Sequence, residues 1–128
     1  MSGLLGCTEV EQQTGSNLTQ IRDVTSQEAF NLIKENKGNP NFIILDVRTA
    51  AEFDSGHIAG AINIDVNFSS FPEEIKKLNT VNTYLVYCRS GNRSRKALTI
   101  MEELRFTSIY HLANGITEWI NSGLPVVQ

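Results

Sequence analysis

Thr83-Tyr84-Leu85-Val86-Tyr87 runs into Cys88-Arg89-Ser90-Gly91-Asn92-Arg93-Ser94, and that run continues into Arg95-Lys96-Ala97-Leu98-Thr99-Ile100-Met101-Glu102-Glu103-Leu104. The first stretch is apolar, short and without polar alternation, the pattern of a strand covered on both faces. The third reads as a helix, over residues 93–104. The cysteine therefore sits where a strand ends and a helix begins, on a loop with one glycine and two arginines. Amide N–H groups at a helix start point outward and attract anions. A thiol held there beside arginines ionises more easily than a free one, and the thiolate is the nucleophile. The stretch reads as a site for sulfur or oxyanion chemistry.

The same strand-then-helix pattern extends in both directions. Ile21–Val24 reads as a first strand, and Thr25 caps the next helix with Glu28 as its capping-box partner. That helix presents Ala29, Phe30 and Ile33 and stops before Gly38 and Pro40. Phe42–Val47 is a second buried strand, Ala50–Ser55 a short helix closed by Gly56, and Ala61–Ile64 a third strand. Pro72–Leu78 reads as a helix with proline in its first turn. Downstream, Ile109–Leu112 is a fifth strand and Gly115–Asn121 a last helix, ended by Gly123 and Pro125. Strands alternating with helices predict a parallel sheet covered on both faces, with ligands beyond the carboxyl ends of its strands. Cys88 lies at one such end and Asp46 at another.

The chain has 128 residues and a formal charge of −3, which suits one domain with a near-average composition. Its basic residues are scattered apart from the Arg89–Lys96 cluster, so no nucleic-acid face is expected. No apolar run is long enough to span a membrane. Cys7 and Cys88 are the two cysteines, and no metal-ligand spacing appears. A Cys7–Cys88 disulfide would block the thiol that the loop presents.

Four motifs in order resemble a single-domain rhodanese, a sulfurtransferase module. They are Leu45-Asp46-Val47-Arg48 with Glu52-Phe53, Gly56-His57-Ile58-Ala59-Gly60-Ala61-Ile62-Asn63, Tyr87–Ser94, and Asn114-Gly115-Ile116 through Trp119 to Gly123-Leu124-Pro125-Val126. The resemblance covers about residues 20–127. It implies an α/β rhodanese-like fold, with a five-stranded, mostly parallel sheet flanked by helices on both faces. It also implies a persulfide mechanism in which Cys88 takes a sulfane sulfur from a small anionic donor, thiosulfate or a persulfide. A thiol or cyanide then accepts the sulfur, and no cofactor or metal takes part. The backbone from Arg89 through Ser90, Gly91, Asn92 and Arg93 to Ser94 is expected to cradle the anionic sulfur. Arg89 and Arg93 supply charge, Gly91 lets the loop curve, and Ser94 caps the helix or donates to the loop. Asn114 stands where the family usually has glycine, and asparagine tolerates left-handed backbone angles. Asp65 stands where many members have proline.

Two other functions compete. Cysteine phosphatases and arsenate reductases also hang a cysteine loop after a strand, but phosphatases need five residues between Cys and Arg, and four separate Cys88 from Arg93. A rhodanese-like module that only binds a partner would commonly lack the cysteine. Of the remaining residues, His57 reads as a turn residue rather than a base, since an ionised thiol needs none. Arg48 is expected to pair with Glu52 four residues on. Asp46 stands open between supporting the active loop and simple capping. Trp119, Ile116 and Ile120 read as core, and Lys76-Lys77 and Glu102-Glu103 as solvated faces.

Residues 1–20 are read as a flexible tether and 21–128 as the domain. Within the tether, Leu4-Leu5-Gly6-Cys7 resembles a lipoprotein box, although no charged or long apolar leader precedes it. On that reading Cys7 carries lipid and the protein is membrane-anchored outside the cytoplasm. The alternative is a cytoplasmic enzyme with an incidental thiol at Cys7.

Overall fold

The computed structural model describes residues 18–128. The Leu4–Cys7 motif and Cys7 itself lie outside the described residues. The elements in chain order are β1 (Gln20–Val24), α1 (Ser26–Glu35), β2 (Phe42–Asp46), α2 (Ala50–Ser55), β3 (Ile62–Asn63), α3 (Phe71–Ile75), β4 (Thr83–Tyr87), α4 (Asn92–Glu103), β5 (Ser108–Leu112) and α5 (Gly115–Asn121). The five strands form one sheet in the order β1-β5-β4-β2-β3. Every pairing in it is parallel, so the sheet goes one step beyond the expected mostly parallel one. Gln20 already pairs with Ser108, so β1 begins one residue before the expected strand Ile21–Val24.

Alternation along the strands divides the core into two layers. Tyr84, Val86 and Cys88 face α3 and α4, packing with Phe71, Ile75, Ala97 and Met101. Leu85 and Tyr87 face the opposite way, into a layer with Ala29 of α1 and Ile116 and Trp119 of α5. A central strand apolar on both faces is what this double cover requires. Ile120 departs from expectation at 49% exposed. It follows Trp119 by one residue, about 100° round the helix and off the buried stripe.

The helix starts follow local chemistry. Thr25 Oγ1 accepts from the Glu28 amide at 3.1 Å, and Glu28 Oε1 accepts from the Thr25 amide at 2.9 Å. A second capping box joins Thr49 and Glu52 at the start of α2. α3 is shorter than the run Pro72–Leu78. After Ile75 the chain tightens into i→i−3 turns, with Leu78 N–H donating to Ile75 O at 3.0 Å.

The connections position the site. The chain leaves β2 toward β3 on one side and leaves β4 toward β5 on the other. Beyond the carboxyl ends of β2 and β4 the loops diverge, and such a switch point is where open α/β sheets bind ligands. The segment after Asp46 and the segment after Tyr87 form its two walls.

Candidate active site

Cys88 follows β4 directly and is buried, 1% exposed, at the floor of this crevice. Its Sγ accepts from the Gly91 amide at 3.1 Å and lies 3.3 Å from Ser94 Oγ. Burial pushes the thiol up, but the Ser94 hydroxyl and the amides of Ser94, Gly91 and Ser90 pull it further down, leaving it below its ordinary value. Hydrogen bonds to the charged form act in this direction. Ser94 sits inside α4, whose N-cap is Gly91 without a side-chain cap bond, so the capping role expected for Ser94 does not arise. Its hydroxyl turns back on the loop instead. Asn92 opens α4, and Arg89, Ser90 and Asn92 face solvent.

The loop is docked on the N-terminus of α5. The amides of Ile116 and Thr117 donate to the carbonyls of Cys88 and Arg89 at 3.0 and 3.1 Å. These helix-start donors have no partner inside their own helix, and the loop supplies one. The approach is so close that a Cβ on Gly115 would fall 2.1 Å from Arg89 O, and Gly115 has a φ of +72°. Gly91 is equally constrained: its φ is +104°, and a Cβ there would fall 2.2 Å from Ala113 O. Asn114 corrects the sequence reading. Its φ is −103°, an ordinary angle, so the left-handed residue of the Asn114-Gly115 pair is the glycine.

The two arginines of the loop differ. Arg89 faces solvent, whereas Arg93 reaches across the crevice to Glu52 with a paired contact, 2.7 Å to Oε1 and 2.8 Å to Oε2. That hydrogen bond holds the Glu52 carboxyl down to about 2, with the Thr49 amide and hydroxyl adding to it against partial burial. Glu52 therefore does not pair with Arg48. Arg48 turns the other way and binds buried Asp46, with Nη2 to Oδ2 at 2.7 Å and Nε to Oδ1 at 3.0 Å. Its Nη2 also donates to Gly56 O at 2.7 Å. The capping box holds Glu52 toward Thr49 and leaves Arg48 to the closer carboxylate. Asp46 also accepts from the Arg48 amide at 2.9 Å, so it fixes the wall after β2 and makes no bond to the cysteine loop. Asn63 of β3 braces the same wall by donating to the Asp46 and Arg48 carbonyls. His57 bonds Phe53 O through Nδ1 at 2.8 Å and stacks on the Phe53 ring, away from Cys88.

Two residues join the site that the sequence reading did not select. His111 of β5 is fully buried, and its Nε2 lies 2.6 Å from Ser94 Oγ. Its Nδ1 lies 3.0 Å from Oδ1 of Asp23, its register partner on β1. The available signal was an ionisable residue within Ile109-Tyr110-His111-Leu112, on the same face as the core residue Ile109. Among the described residues, no three His, Cys, Asp or Glu side chains gather as a metal site would need, and no helix is long and apolar enough to cross a membrane.

Comparison with known proteins gives a consistent picture. Residues 29–122 match the model of the rhodanese-like domain. The chain is 34% identical over 91 residues to a chloroplast thiosulfate sulfurtransferase of Arabidopsis thaliana, covering 63% of this chain and 76% of that one. It is 34% identical over 89 residues to a tRNA uridine(34) hydroxylase of Legionella pneumophila, covering 66% of this chain but 35% of the hydroxylase. Among solved structures, a rhodanese-related protein of Thermoplasma volcanium superposes with a TM-score of 0.70 at 34% identity, covering 83% of this chain and 97% of the other.

Proposed function

This chain belongs to the rhodanese-like domain family, and from that premise and the setting of Cys88 we propose that it is a sulfurtransferase working through a Cys88 persulfide, with thiosulfate as donor. The observation that carries the reading is the convergence of the Gly91 amide and the Ser94 hydroxyl on a thiol held below its ordinary value. A thiolate so prepared attacks the outer sulfur of the donor. A Cys88–sulfur bond forms, the donor sulfur–sulfur bond breaks, and sulfite leaves with the bonding pair. The terminal persulfide sulfur carries the negative charge, which the loop amides Ser90, Gly91 and Ser94 stabilise. A nucleophile, cyanide or a thiolate, then attacks that sulfur and returns Cys88 as its thiolate. Arg89, exposed at the rim, draws the anionic donor inward, and Arg93 contributes what charge its bridge to Glu52 leaves.

Two separate half-reactions require ping-pong kinetics. Thiocyanate formation measured while thiosulfate and cyanide are both varied should give parallel double-reciprocal lines, and Cys88→Ser should give no turnover. The four-residue gap between Cys88 and Arg93 is too short a cradle for phosphate, so aryl-phosphate hydrolysis should be negligible beside it. Intersecting lines, or phosphatase turnover exceeding sulfur transfer, would overturn the proposal.

A further inference from the structure

The Cys88 thiol is buried, and the hydrogen bonds behind it lay out a path for its proton. Asp23 Oδ1 lies 3.0 Å from His111 Nδ1, His111 Nε2 lies 2.6 Å from Ser94 Oγ, and Ser94 Oγ lies 3.3 Å from Cys88 Sγ. The donor directions follow from chemistry. A carboxylate only accepts, so Nδ1 carries the imidazole hydrogen and Nε2 is bare. The Ser94 hydroxyl then donates to Nε2, and its lone pairs face the Cys88 S–H. Gly91 O, 3.0 Å from Ser94 Oγ, competes for the same hydrogen at a longer distance. We propose that Ser94, His111 and Asp23 form a proton relay for Cys88, in which His111 is the positioning residue that accepts the thiol proton through Ser94. The inference rests on Cys88 being the nucleophile proposed above.

The step balances without an external reagent. The Cys88 S–H bond breaks and its proton goes to Ser94 Oγ as Ser94 passes its own proton to His111 Nε2. Nothing is oxidised or reduced. The result is a Cys88 thiolate, an intact Ser94 hydroxyl now donating to it, and a His111 imidazolium hydrogen-bonded to Asp23. The charged groups that face His111 are few. Asp23 comes from β1, and Arg95 of α4 approaches Asp23 Oδ2 at 3.9 Å. The β4 residue in register with His111 is apolar Val86. Burial, first, and Arg95, in smaller measure, lower the His111 basicity while Asp23 raises it, and the net is below the ordinary value. That lowering favours the neutral imidazole, whose bare Nε2 is the acceptor the relay starts from. A purely structural histidine would satisfy the same bonds but would not change charge with Cys88.

The test is the pH dependence of iodoacetamide alkylation in the full chain, followed on the Cys88 peptide so that Cys7 does not contribute. His111→Gln keeps a polar partner for Ser94 but cannot hold the proton. It should raise the alkylation midpoint by about one pH unit, a tenfold slower reaction at neutral pH. Asp23→Asn changes a half-exposed side chain and should shift the midpoint the same way by less. It serves as the second variant where His111→Gln fails to fold. In the native chain, the His111 ring 15N signals should titrate together with Cys88, and alkylation of Cys88 should abolish that step. Unmoved midpoints in the folded variants, or a His111 signal indifferent to Cys88, would overturn the relay while leaving sulfur transfer standing. Alkylation needs no sulfur donor, so a chain that shifts as described yet never loads sulfur would instead overturn the transferase reading.

Discussion

Replacing Gly115 by alanine tests the claim that the cysteine loop is held by the start of α5. The added Cβ would fall 2.1 Å from Arg89 O, 2.3 Å from Arg89 C and 2.6 Å from Ser90 N, all backbone atoms that cannot rotate aside. The loop must retreat by roughly 1 Å to restore ordinary contact. That movement weakens the bonds from the Ile116 and Thr117 amides to the Cys88 and Arg89 carbonyls, now 3.0 and 3.1 Å. Each such bond contributes about 0.5–1.5 kcal/mol, and a left-handed backbone costs a non-glycine residue about 1–2 kcal/mol. The sum is about 2–5 kcal/mol. At roughly 4 °C per kcal/mol for a domain of this size, the melting temperature should fall by about 8–20 °C. Calorimetry on Gly115→Ala beside Asn114→Gly gives the comparison, because Asn114 has an ordinary φ of −103°. Asn114→Gly should stay close to the parent. A Gly115→Ala melt indistinguishable from the parent would refute the docking argument, as would equal losses in both variants.

Removing one partner of the buried Asp46–Arg48 pair strands the other charge, so Asp46→Ala should cost about 3–5 kcal/mol in urea unfolding. The Glu52 carboxyl is lowered from 4.5 to about 2, so the Glu52–Arg93 bridge adds stability that is complete above about pH 4.5. That stability is lost as pH falls toward 2, and Glu52→Gln should flatten this part of an acid-unfolding curve. Arg93→Ala should raise the thiosulfate KM by about tenfold, the scale of one hydrogen bond to a charged group, while slowing Cys88 alkylation much less. The reason is that the Ser94 hydroxyl and the loop amides are the leading groups that lower the thiol.

Much of the fold was legible because its signals are contiguous. The apolar runs Phe42–Val47 and Thr83–Tyr87 became the strands beside the crevice, the first ending one residue early at Asp46, and Thr25 with Glu28 marked a helix start. The position of Cys88 was legible for the same reason, since the strand, the loop and the helix around it are consecutive. What stayed hidden arises from strand order. Asp23 and His111 are 88 residues apart and meet only because β1 pairs with β5. Glu52 and Arg93, 41 residues apart, meet because β2 lies beside β4. The i,i+4 spacing of Arg48 and Glu52 suggested a local pair, but the buried Asp46 carboxylate two residues from Arg48 outcompeted it. Asn114 misled differently: the motif position was right, yet the positive φ belongs to Gly115 alone.

Intact-protein mass spectrometry after thiosulfate treatment tests the central claim most directly. The native chain should gain the mass of one sulfur atom, on the Cys88 peptide, and lose it to cyanide with thiocyanate appearing in equal amount. Cys88→Ser should show neither gain nor loss. A native chain that gains no sulfur, or a Cys88→Ser chain that gains as much as the native one, would contradict the account.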